Sequence, residues 1–288
     1  MSDLIYTENE ERNKVEKSTL YLVATPIGNL SDITYRAVKV LSEVDFIAAE
    51  DTRNTPKLLS KYGIKKPLVS YFEHNKREKG EYVVSRLESG ESCALVTDAG
   101  TPAISDPGED LVVLCRERGV KVVSIPGACA AITALTLSGL PTRRFCFEGF
   151  LPNAKSERKQ RLKELEEEKR TVIIYEAPHH LKSTIKDLYE ALGDRRVSFC
   201  RELTKINEEA KTMLLSEAVS CYEETQPRGE YVLVIDGASE NKEKEFDMTV
   251  QEHVDMYISQ GMSKMDAIKA AAKDRGVPKS EVYAEINK

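Results

Sequence analysis

The sequence predicts an α/β protein with two α/β domains and a short helical C-terminal extension. In the first half, short apolar runs alternate with segments of helical spacing, at 20–24, 45–49, 67–70, 93–97 and 121–125. This alternation indicates parallel βαβ units in a doubly wound sheet. In the second half, the runs near 145, 196, 211 and 230 have no long helix between every pair, which favours a mixed sheet with antiparallel pairs.

Length and composition fit a globular chain of two ordinary domains. The chain has 288 residues, 41% apolar and 31% charged, with a net charge of −6. We expect a polar tail at 1–18, an N-terminal domain at 19–141, a C-terminal domain at 142–237 and a helical module at 248–288. No apolar stretch reaches the roughly 20 residues that cross a bilayer, and the polar start lacks a signal-peptide core, so we predict no membrane partner.

Cysteine and histidine usage gives no metal signature. The six cysteines contain no C-x-x-C pair, which argues against a structural zinc site or a redox motif. Most have apolar neighbours, so we interpret them as small buried residues in a reducing cytosol and predict a cytoplasmic location. The four histidines form no metal-binding cluster, and we predict no metal site.

Two helices of the first domain carry start signals. Ser31 or Asp32 is placed to cap the first, whose apolar face recurs at roughly i, i+4 and i+7 in Ile33, Ala37, Val40, Leu41 and Val44. Another helix is expected to begin near Pro107, with Asp106 as N-cap and Glu109 three residues after the cap. A third, at 128–134, is rich in small residues and follows the Pro126-Gly127 turn.

The second domain is expected to begin at 140–144. Its elements are predicted in this order: a strand at 145–149, a charged helix at about 156–168, a strand at 171–175, a helix at 178–191 and strands at 196–200, 211–215 and 230–236. A polar linker at 238–247 leads to the helical module. There, a helix beginning between Ser263 and Asp266 ends at Gly276, and a second begins at Val277-Pro278. This arrangement is compatible both with a helix-turn-helix and with a simple helical hairpin.

Two strand-to-loop segments are the strongest functional signal. Residues 20–30 and 94–108 each begin as an apolar run and break into Gly, Pro, Thr and Asp. Loops at the carboxyl ends of strands in open α/β sheets bind ligands, and glycine lets the backbone approach a ligand closely. We therefore predict an enzyme. The chain lacks G-x-G-x-x-G, G-x-x-x-x-G-K-[ST] and G-x-S-x-G, which excludes the usual signatures of dinucleotide binding, the P-loop and the serine hydrolases.

Polar residues cluster at four strand ends: 49–53, 97–98, 175–180 and 201–205. Each could cap the helix that follows, as Glu50, Asp51, Thr52 and Glu176 are placed to do. Four such ends, all able to face one cleft, favour a substrate site.

Seven segments resemble the bacterial ribosomal RNA small-subunit methyltransferase I family, in the tetrapyrrole-methylase-like class. They are Thr25–Leu30, Ala49–Arg53, Asp98–Gly108, Ile125–Ala128, Glu148–Pro152, Tyr175–His179 and Arg201–Lys205. They follow the family's order over about residues 19–236. The T-P-I-G-N-L loop, in place of the G-x-G type turn of porphyrin-modifying relatives, favours the RNA-modifying branch.

The resemblance implies 2′-O-methylation of a cytidine ribose in the decoding region of 16S rRNA, on the rRNA or the small ribosomal subunit. It also implies a homodimer, and S-adenosylmethionine as the cofactor in a cleft between the two domains. Carried over from the family, the cofactor-binding positions are Pro26, Ile27, Gly100, Thr101, Pro102, Ala103, Ile104, Ala128, Cys129, Ala130, Tyr175, Ala177 and Pro178. We expect backbone groups and shape, rather than a counter-charge, to hold this cofactor.

For the chemistry we expect Asp98 to orient the ribose hydroxyl or accept its proton, with Glu50 and Glu176 as further candidates. The predicted substrate-binding residues are Asp51, Arg53, Arg143, Arg144, His179 and Arg201, the arginines because they match phosphate oxygens. The Arg143-Arg144 pair could equally be an exposed linker. The first half of the charged helix, with Lys155, Arg158 and Lys159, is open to RNA contact, and the second half is better explained as a solvated face.

Two rival functions remain open at this point. One is a tetrapyrrole-type or other small-molecule methyltransferase of the same fold. The other is a non-catalytic RNA-binding protein that assists ribosome assembly.

Overall fold

The first half of the chain folds into a parallel five-stranded sheet with strand order β3-β2-β4-β1-β5. The computed structural model describes residues 14–238 and 248–286, so most of the predicted polar tail and linker lies outside the described residues. The strands are β1 (Thr19–Val23), β2 (Phe46–Ala49), β3 (Leu68–Ser70), β4 (Cys93–Val96) and β5 (Lys121–Ile125). The predicted parallel sheet is confirmed.

Helices cover both faces of this sheet, as a doubly wound fold requires. They are α1 (Tyr35–Glu43), α2 (Thr55–Lys61), α3 (Lys76–Glu88) and α4 (Glu109–Glu117). Val40 and Leu41 of α1 and Leu59 of α2 pack on one face with Tyr21 and Val23. On the other face, α3 and α4 pack against Leu20, Phe46 and Leu95.

Two predicted helix starts are wrong. Residues Leu30–Asp32 form a single 3₁₀ turn capped by Asn29, and α1 begins three residues later, where the Thr34 side chain accepts the backbone N–H of Ala37. Likewise α4 begins at Glu109 with Gly108 as its N-cap, rather than at Asp106. Gly108 has φ of +145°, so the chain cannot continue as a helix back to Pro107.

The second half contains a mixed five-stranded sheet with order β6-β7-β10-β8-β9. Its strands are β6 (Phe145–Phe150), β7 (Thr171–Glu176), β8 (Arg196–Arg201), β9 (Glu209–Leu214) and β10 (Tyr231–Ile235). Strands β6 and β7 are parallel, and β10 runs antiparallel to both β7 and β8. The predicted mixed sheet is confirmed, and the carboxyl ends of β6, β7 and β8 share one edge.

Helix α5 (Ala130–Leu137) packs on one face of the second sheet, through Ala131, Ala134 and Leu135. The other face is covered by α6 (Lys155–Glu166), α7 (Leu181–Leu192) and α8 (Leu215–Glu224). Helix α8 was not predicted, because its first residue, Leu215, is also the last residue of the strand predicted at 211–215. Both sheets belong to one compact unit, which runs to Leu165 and resumes at Arg170–Asp236.

The second compact unit consists of Glu166–Lys169 and Gly237–Lys288. Its helices are α9 (Val250–Ser259), α10 (Lys264–Arg275) and α11 (Lys279–Ile286). Val254, Ile268 and Val282 are buried among them. Gly276 is in the left-handed conformation and ends α10. In this part of the fold as in the rest described, no helix is long and apolar enough to span a membrane.

Candidate active site

Loops after three neighbouring strands of the first sheet are bonded into one surface. Thr25 and Gly100 exchange two backbone hydrogen bonds, of 2.9 and 3.1 Å. The Thr101 hydroxyl donates to the carbonyl of Ala128 at 3.0 Å. Gly100 has φ of +85°, and a Cβ at this position would stand 3.3 Å from the Cγ2 of Ile27. These contacts fix the loops after β1, β4 and β5 relative to one another.

The second sheet contacts the start of α5 through an aromatic group centred on Tyr175. The Tyr175 hydroxyl accepts the backbone N–H of Ala131 at 3.1 Å, in the first turn of α5. The Tyr175 ring meets Phe147 and Phe150 edge-on, with centroids 4.9 and 5.7 Å apart. Burial raises the pKa of Tyr175 to about 12, so the phenol is neutral at physiological pH.

A cavity of about 460 Å³ lies between the loops of the first sheet and the edge of the second. Its size falls within the range of small-molecule sites. The lining residues are Ile27, Glu50, Asp98, Ala99, Gly100, Thr101, Ile104, Ser105, Asp106, Cys129, Ala130, Phe150, Tyr175, Glu176, Ala177, Pro178, Leu203, Glu230, Tyr231 and Val232.

The charge of this lining is entirely acidic. Five carboxylic side chains contribute to it, and no Lys, Arg or His does, among the described residues: Glu50, Asp98, Asp106, Glu176 and Glu230. The remaining lining is apolar, aromatic or made of small residues. Such a cavity attracts a positively charged ligand and disfavours phosphate.

Glu50 and Asp98 come from neighbouring strand ends and are held in place by hydrogen bonds. Glu50 accepts the backbone N–H of Asp98 at 3.4 Å, and the side-chain amide of Asn54 donates to Asp98 at 3.2 Å. Burial raises the pKa of Glu50, and the charges of Asp98 and Asp51 add to the effect. Neither Glu50 nor Asp51 caps α2, whose N-cap is Asn54.

Asp106 is the cavity acid whose pKa is most clearly perturbed. Burial, followed by repulsion from Glu50 and Asp98, raises the pKa of Asp106 to about 7. The sequence predicts Asp106 as a helix N-cap, but in the structure it lines the cavity.

Glu176 is bonded on both carboxylate oxygens. One accepts the backbone N–H of Ala177 at 2.8 Å, and the other accepts the hydroxyl of Thr184 in the first turn of α7. Arg158 donates to that same hydroxyl at 2.8 Å. Glu176 is therefore a buried anchor for the first turn of α7, but it does not cap this helix, whose N-cap is His180.

Of the predicted cofactor positions, nine line the cavity: Ile27, Gly100, Thr101, Ile104, Cys129, Ala130, Tyr175, Ala177 and Pro178. The other four do not, namely Pro26, Pro102, Ala103 and Ala128. Ala103 has φ of +65° and lies close to Gly108 of the same loop. Ala128 contributes the carbonyl that Thr101 bonds.

None of the predicted substrate residues lines the cavity. Arg53 forms a salt bridge of 2.8 Å with Asp51 and holds the pKa of that carboxyl at about 2. His179 is exposed, beyond the lining residue Pro178. Arg143 and Arg144 are exposed at the start of β6, whereas its far end reaches the cavity, a separation of about 20 Å at ~3.3 Å per residue.

Arg201 ends β8 at the cavity edge of the second sheet, but its side chain is directed elsewhere. Its partner in the ladder is Tyr231, and its guanidinium lies 3.6 Å from the carboxylate of Glu209. Its Nε atom is buried without a hydrogen-bond partner in the structure.

Part of the lining comes from distant chain segments and was not predicted. Phe150, Leu203 and Glu230–Val232 reach the cavity only because β6, β8 and β10 end or begin at one edge. Nothing in the order of the chain marks that edge. Asp106 could have been found, because it lies within the segment already identified as a ligand loop.

Comparison with known proteins supports a methyltransferase family. A family model described as Tetrapyrrole (Corrin/Porphyrin) Methylases matches residues 19–219. A protein of Halalkalibacterium halodurans named ribosomal RNA small subunit methyltransferase I is 50% identical, over 96% of this chain and 97% of its own. Proteins of the same name from Bacillus subtilis and Escherichia coli O157:H7 are 48% and 44% identical, over 94% and 92% of this chain and 94% and 93% of their own.

Solved structures with the same fold are more distant in sequence. Diphthine synthase aligns with a TM-score of 0.59 at 15% identity, over 76% of this chain and 90% of its own. Uroporphyrin-III-C-methyltransferase of Thermus thermophilus aligns at 0.53 with 18% identity, over 75% and 94%. The fold, the match to the family model and the near full-length relatives agree, and the chain belongs to the tetrapyrrole methylase family, with the proteins named ribosomal RNA small subunit methyltransferase I.

Proposed function

We propose that this protein methylates the 2′-oxygen of a cytidine ribose in the decoding region of 16S rRNA, with S-adenosylmethionine as methyl donor. The family and the shared name of its near full-length relatives support an rRNA methyltransferase. The finer assignment of the cofactor, the methylated ribose oxygen and the nucleotide rests on the resemblance of the loop segments to the family.

The observation that favours this cofactor is the acidic, cation-free lining of the cavity. S-adenosylmethionine carries a sulfonium and an ammonium group, and nearby carboxylates stabilise both. ATP and dinucleotides carry phosphates, which such a lining would repel. This counter-charge differs from our expectation that backbone groups and shape, rather than a counter-charge, largely hold the cofactor.

The residues present fit the cofactor. Phe150, Leu203 and Val232 provide apolar walls for an adenine ring, and Gly100 allows close approach of the backbone. We assign the small residues Thr101 and Ala130 to the cofactor surface as well. When bound, S-adenosylmethionine supplies an electrophilic methyl group on its sulfonium. The chain's part is to hold the ribose hydroxyl in line with that group at roughly 3–3.5 Å, and to exclude competing water.

The substrate must reach the cavity as a single ribose, since phosphates are disfavoured inside it. Phosphates are better bound outside, where exposed cations stand. Lys155 and Lys159 lie in the first turns of α6, just after Phe150, and they have no ion-pair partner among the described residues. We assign these two lysines, with His179 at the end of the Tyr175 loop, to the RNA-facing side.

The partners and location follow from the resemblance. We propose a homodimer that acts in the cytoplasm on 16S rRNA or the small ribosomal subunit. A tetrapyrrole-type substrate is the less favoured alternative, because an acid-lined cavity offers no basic group to a substrate that carries carboxylates.

The test is transfer of labelled methyl from S-adenosylmethionine to small subunits that lack the modification, with naked 16S rRNA in parallel. Nuclease mapping should place the label on one cytidine whose 3′ phosphodiester resists alkali, as 2′-O-methylation requires. Cofactor binding by calorimetry without label on any rRNA would reject the RNA assignment. Label on a base instead of a ribose would reject the 2′-oxygen.

A further inference from the structure

The loop that carries Asp106 is held in an unusual backbone conformation. Ala103 and Ser105 both have positive φ, +65° and +61°. Gly108 packs so closely that a Cβ there would stand 2.8 Å from Leu95. Non-glycine residues rarely adopt such angles, and they keep them where the surrounding structure imposes them. The strain places Asp106 in the cavity wall instead of at the start of α4.

Asp106 differs from the other four acids of the cavity in its hydrogen bonding. Glu50 accepts from the backbone of Asp98, and Asp98 accepts from Asn54. Glu176 is bonded to Thr184 and Ala177, and Glu230 pairs with Lys205 at 2.9 Å. The Asp106 side chain has no hydrogen-bond or ion-pair partner within residues 14–238 and 248–286. Its oxygens are therefore available to a ligand.

The groups around Asp106 are acidic or neutral on every side. Asp98 belongs to the same loop, Glu50 follows β2 and Tyr175 ends β7, while Glu176 and Glu230 line the same cavity. Burial and the charges of Glu50 and Asp98 raise the pKa of Asp106 to about 7. A general base is most effective when its pKa lies near the working pH, because it is then largely ionised and still binds a proton well.

We propose that Asp106 is the catalytic residue that accepts the proton of the attacking ribose hydroxyl, in place of Asp98, our first candidate. The assignment rests on the proposed function. The ribose oxygen bonds to the methyl carbon as the carbon–sulfur bond breaks, and that bonding pair stays on sulfur. The hydroxyl proton passes to a carboxylate oxygen of Asp106. After the product departs and water enters the cavity, Asp106 releases this proton to the solvent. Asp98, bonded to Asn54, is a positioning residue.

The experiment compares wild type with Asp106→Asn and Asp106→Glu, and uses Asp110→Asn as the matched control. Asp110 is exposed on α4, pairs with Lys76 and does not line the cavity. For each protein, calorimetry measures S-adenosylmethionine binding, and turnover of methyl transfer to small subunits is followed from pH 5.5 to 9. The aspartate carboxyl signals of the cofactor-free protein are titrated by ¹³C NMR.

We expect Asp106→Asn to bind the cofactor within about threefold of wild type and to lose about 10²- to 10⁴-fold in kcat. The wild-type kcat should rise with pH up to about 7 and then level off, and this acid limb should be absent from the residual activity of Asp106→Asn. Asp106→Glu should keep an acid limb at reduced kcat. A carboxyl signal that titrates near pH 7 should be missing from Asp106→Asn and present in Asp110→Asn.

Three results would overturn the assignment. In the first, Asp106→Asn keeps wild-type kcat and pH profile. In the second, it loses cofactor affinity but turns over normally at saturation, which makes Asp106 a binding residue. In the third, the Asp106 carboxyl titrates below about pH 5. If instead wild type methylates no RNA, the proposed function itself fails, and the two failures are thereby distinguished.

Discussion

A hydrogen bond between Tyr175 and Ala131 ties β7 of the second sheet to α5, the helix that follows the last strand of the first sheet. The Tyr175 hydroxyl, from the end of β7, accepts the backbone N–H of Ala131 in the first turn of α5, at 3.1 Å. The N–H groups of a helix's first turn have no partner within the helix, so this bond satisfies one of them. One side chain thus lines the cavity, satisfies an N–H group at the start of a helix and ties that helix to β7.

We predict that Tyr175→Phe weakens both the fold and cofactor binding. Removal of the hydroxyl leaves a half-buried N–H unsatisfied, which costs about 1–3 kcal/mol. For a chain of this size that corresponds to a melting temperature lower by about 2–4 °C per kcal/mol. Thermal unfolding and calorimetry with S-adenosylmethionine measure the two effects. Tyr189→Phe is the control, because Tyr189 is exposed on α7 and has no hydrogen-bond partner in the described chain. Equal melting temperatures for the two variants would contradict the prediction.

A glycine pair tests the contact between the first loop and the loop after β8. At Gly28, a Cβ would lie 2.5 Å from the Cγ of Lys205 and 2.8 Å from the carbonyl oxygen of Leu203, which lines the cavity. We predict that Gly28→Ala displaces this loop and costs about 1–3 kcal/mol, with weaker cofactor binding.

The same substitution at Gly80 should act in the opposite direction. Gly80 lies inside α3, and its nearest contact to an added Cβ would be 3.6 Å, an ordinary van der Waals distance. Gly80→Ala is therefore expected to stabilise the protein by about 0.5–1 kcal/mol. Denaturant unfolding measures the stability of both variants. Destabilisation of the same size at both positions would show that the close contact at Gly28 is not the cause of the loss in stability.

Asp106 gives a prediction about stability that is independent of turnover. Its folded-state pKa, about 7, lies above the ordinary value of 3.8. The stability from its bound proton is therefore fully present below about pH 4 and is lost as pH rises through 7. Asp106→Asn should be more stable than wild type at pH 8, by on the order of 1 kcal/mol once screening on the open side of the cavity is allowed for. The melting temperatures of wild type and Asp106→Asn should diverge as the pH rises from 5 to 8. A difference that is constant over this range would contradict the titration of Asp106.

The sequence predicted the architecture better than it predicted the local starts of helices. The strand at 121–125 agrees with β5 at both ends, because turn residues bound this short run, with Gly119 before it and Pro126-Gly127 after it. Asp106-Pro-Gly-Glu imitates a capping pattern, yet the positive φ of Gly108 moves the helix start to Glu109. Local pattern rules do not include the strain that a ligand loop carries.

The site was predictable where one loop supplies it and not where the fold assembles it. Gly100 and Thr101 lie in a single conspicuous segment, so their place in the cavity follows once that segment is seen as a ligand loop. Arg143 and Phe150 are both near β6, but they lie at opposite ends of it. Which end faces the cavity depends on the strand order of the second sheet, and the order of the chain does not reveal it.

The acidic lining predicts how cofactor preference changes with pH. S-adenosylmethionine and its demethylated product differ at sulfur, where the cofactor is positively charged and the product neutral. The pKa of Asp106 is raised to about 7 and that of Glu50 is also raised, so acidification reduces the negative charge of the lining and weakens its attraction for the sulfonium. The ratio of cofactor to product affinity should rise about twofold to threefold from pH 5.5 to pH 8, a change of about 0.4–0.7 kcal/mol. Calorimetry with both ligands measures it, and a ratio independent of pH would indicate that these acids do not face the sulfonium.

The exposed start of α6 predicts where RNA phosphate binds. Arg158 is already bonded to Asp187 and Thr184, and Arg161 to Glu148 and Glu164, whereas Lys155 and Lys159 have no such partner in the described structure. The two lysines lie four residues apart, so they stand on one helix face beside the loop that follows Phe150. Because the cavity disfavours phosphate, these cations are suited to hold the backbone of an RNA whose ribose enters the site.

The variant Lys155→Ala/Lys159→Ala should therefore raise KM for the small subunit about tenfold or more and leave cofactor binding unchanged. Each lost phosphate contact should reduce the slope of log affinity against log salt by about 0.7–0.9. The control is Lys65→Ala, since Lys65 is exposed before β3, at the opposite edge of the first sheet from the cavity. An unchanged KM and salt slope in the double variant would show that RNA binds to another surface. Equal effects of the double variant and Lys65→Ala would indicate a general response to net charge, because a specific phosphate contact depends on position.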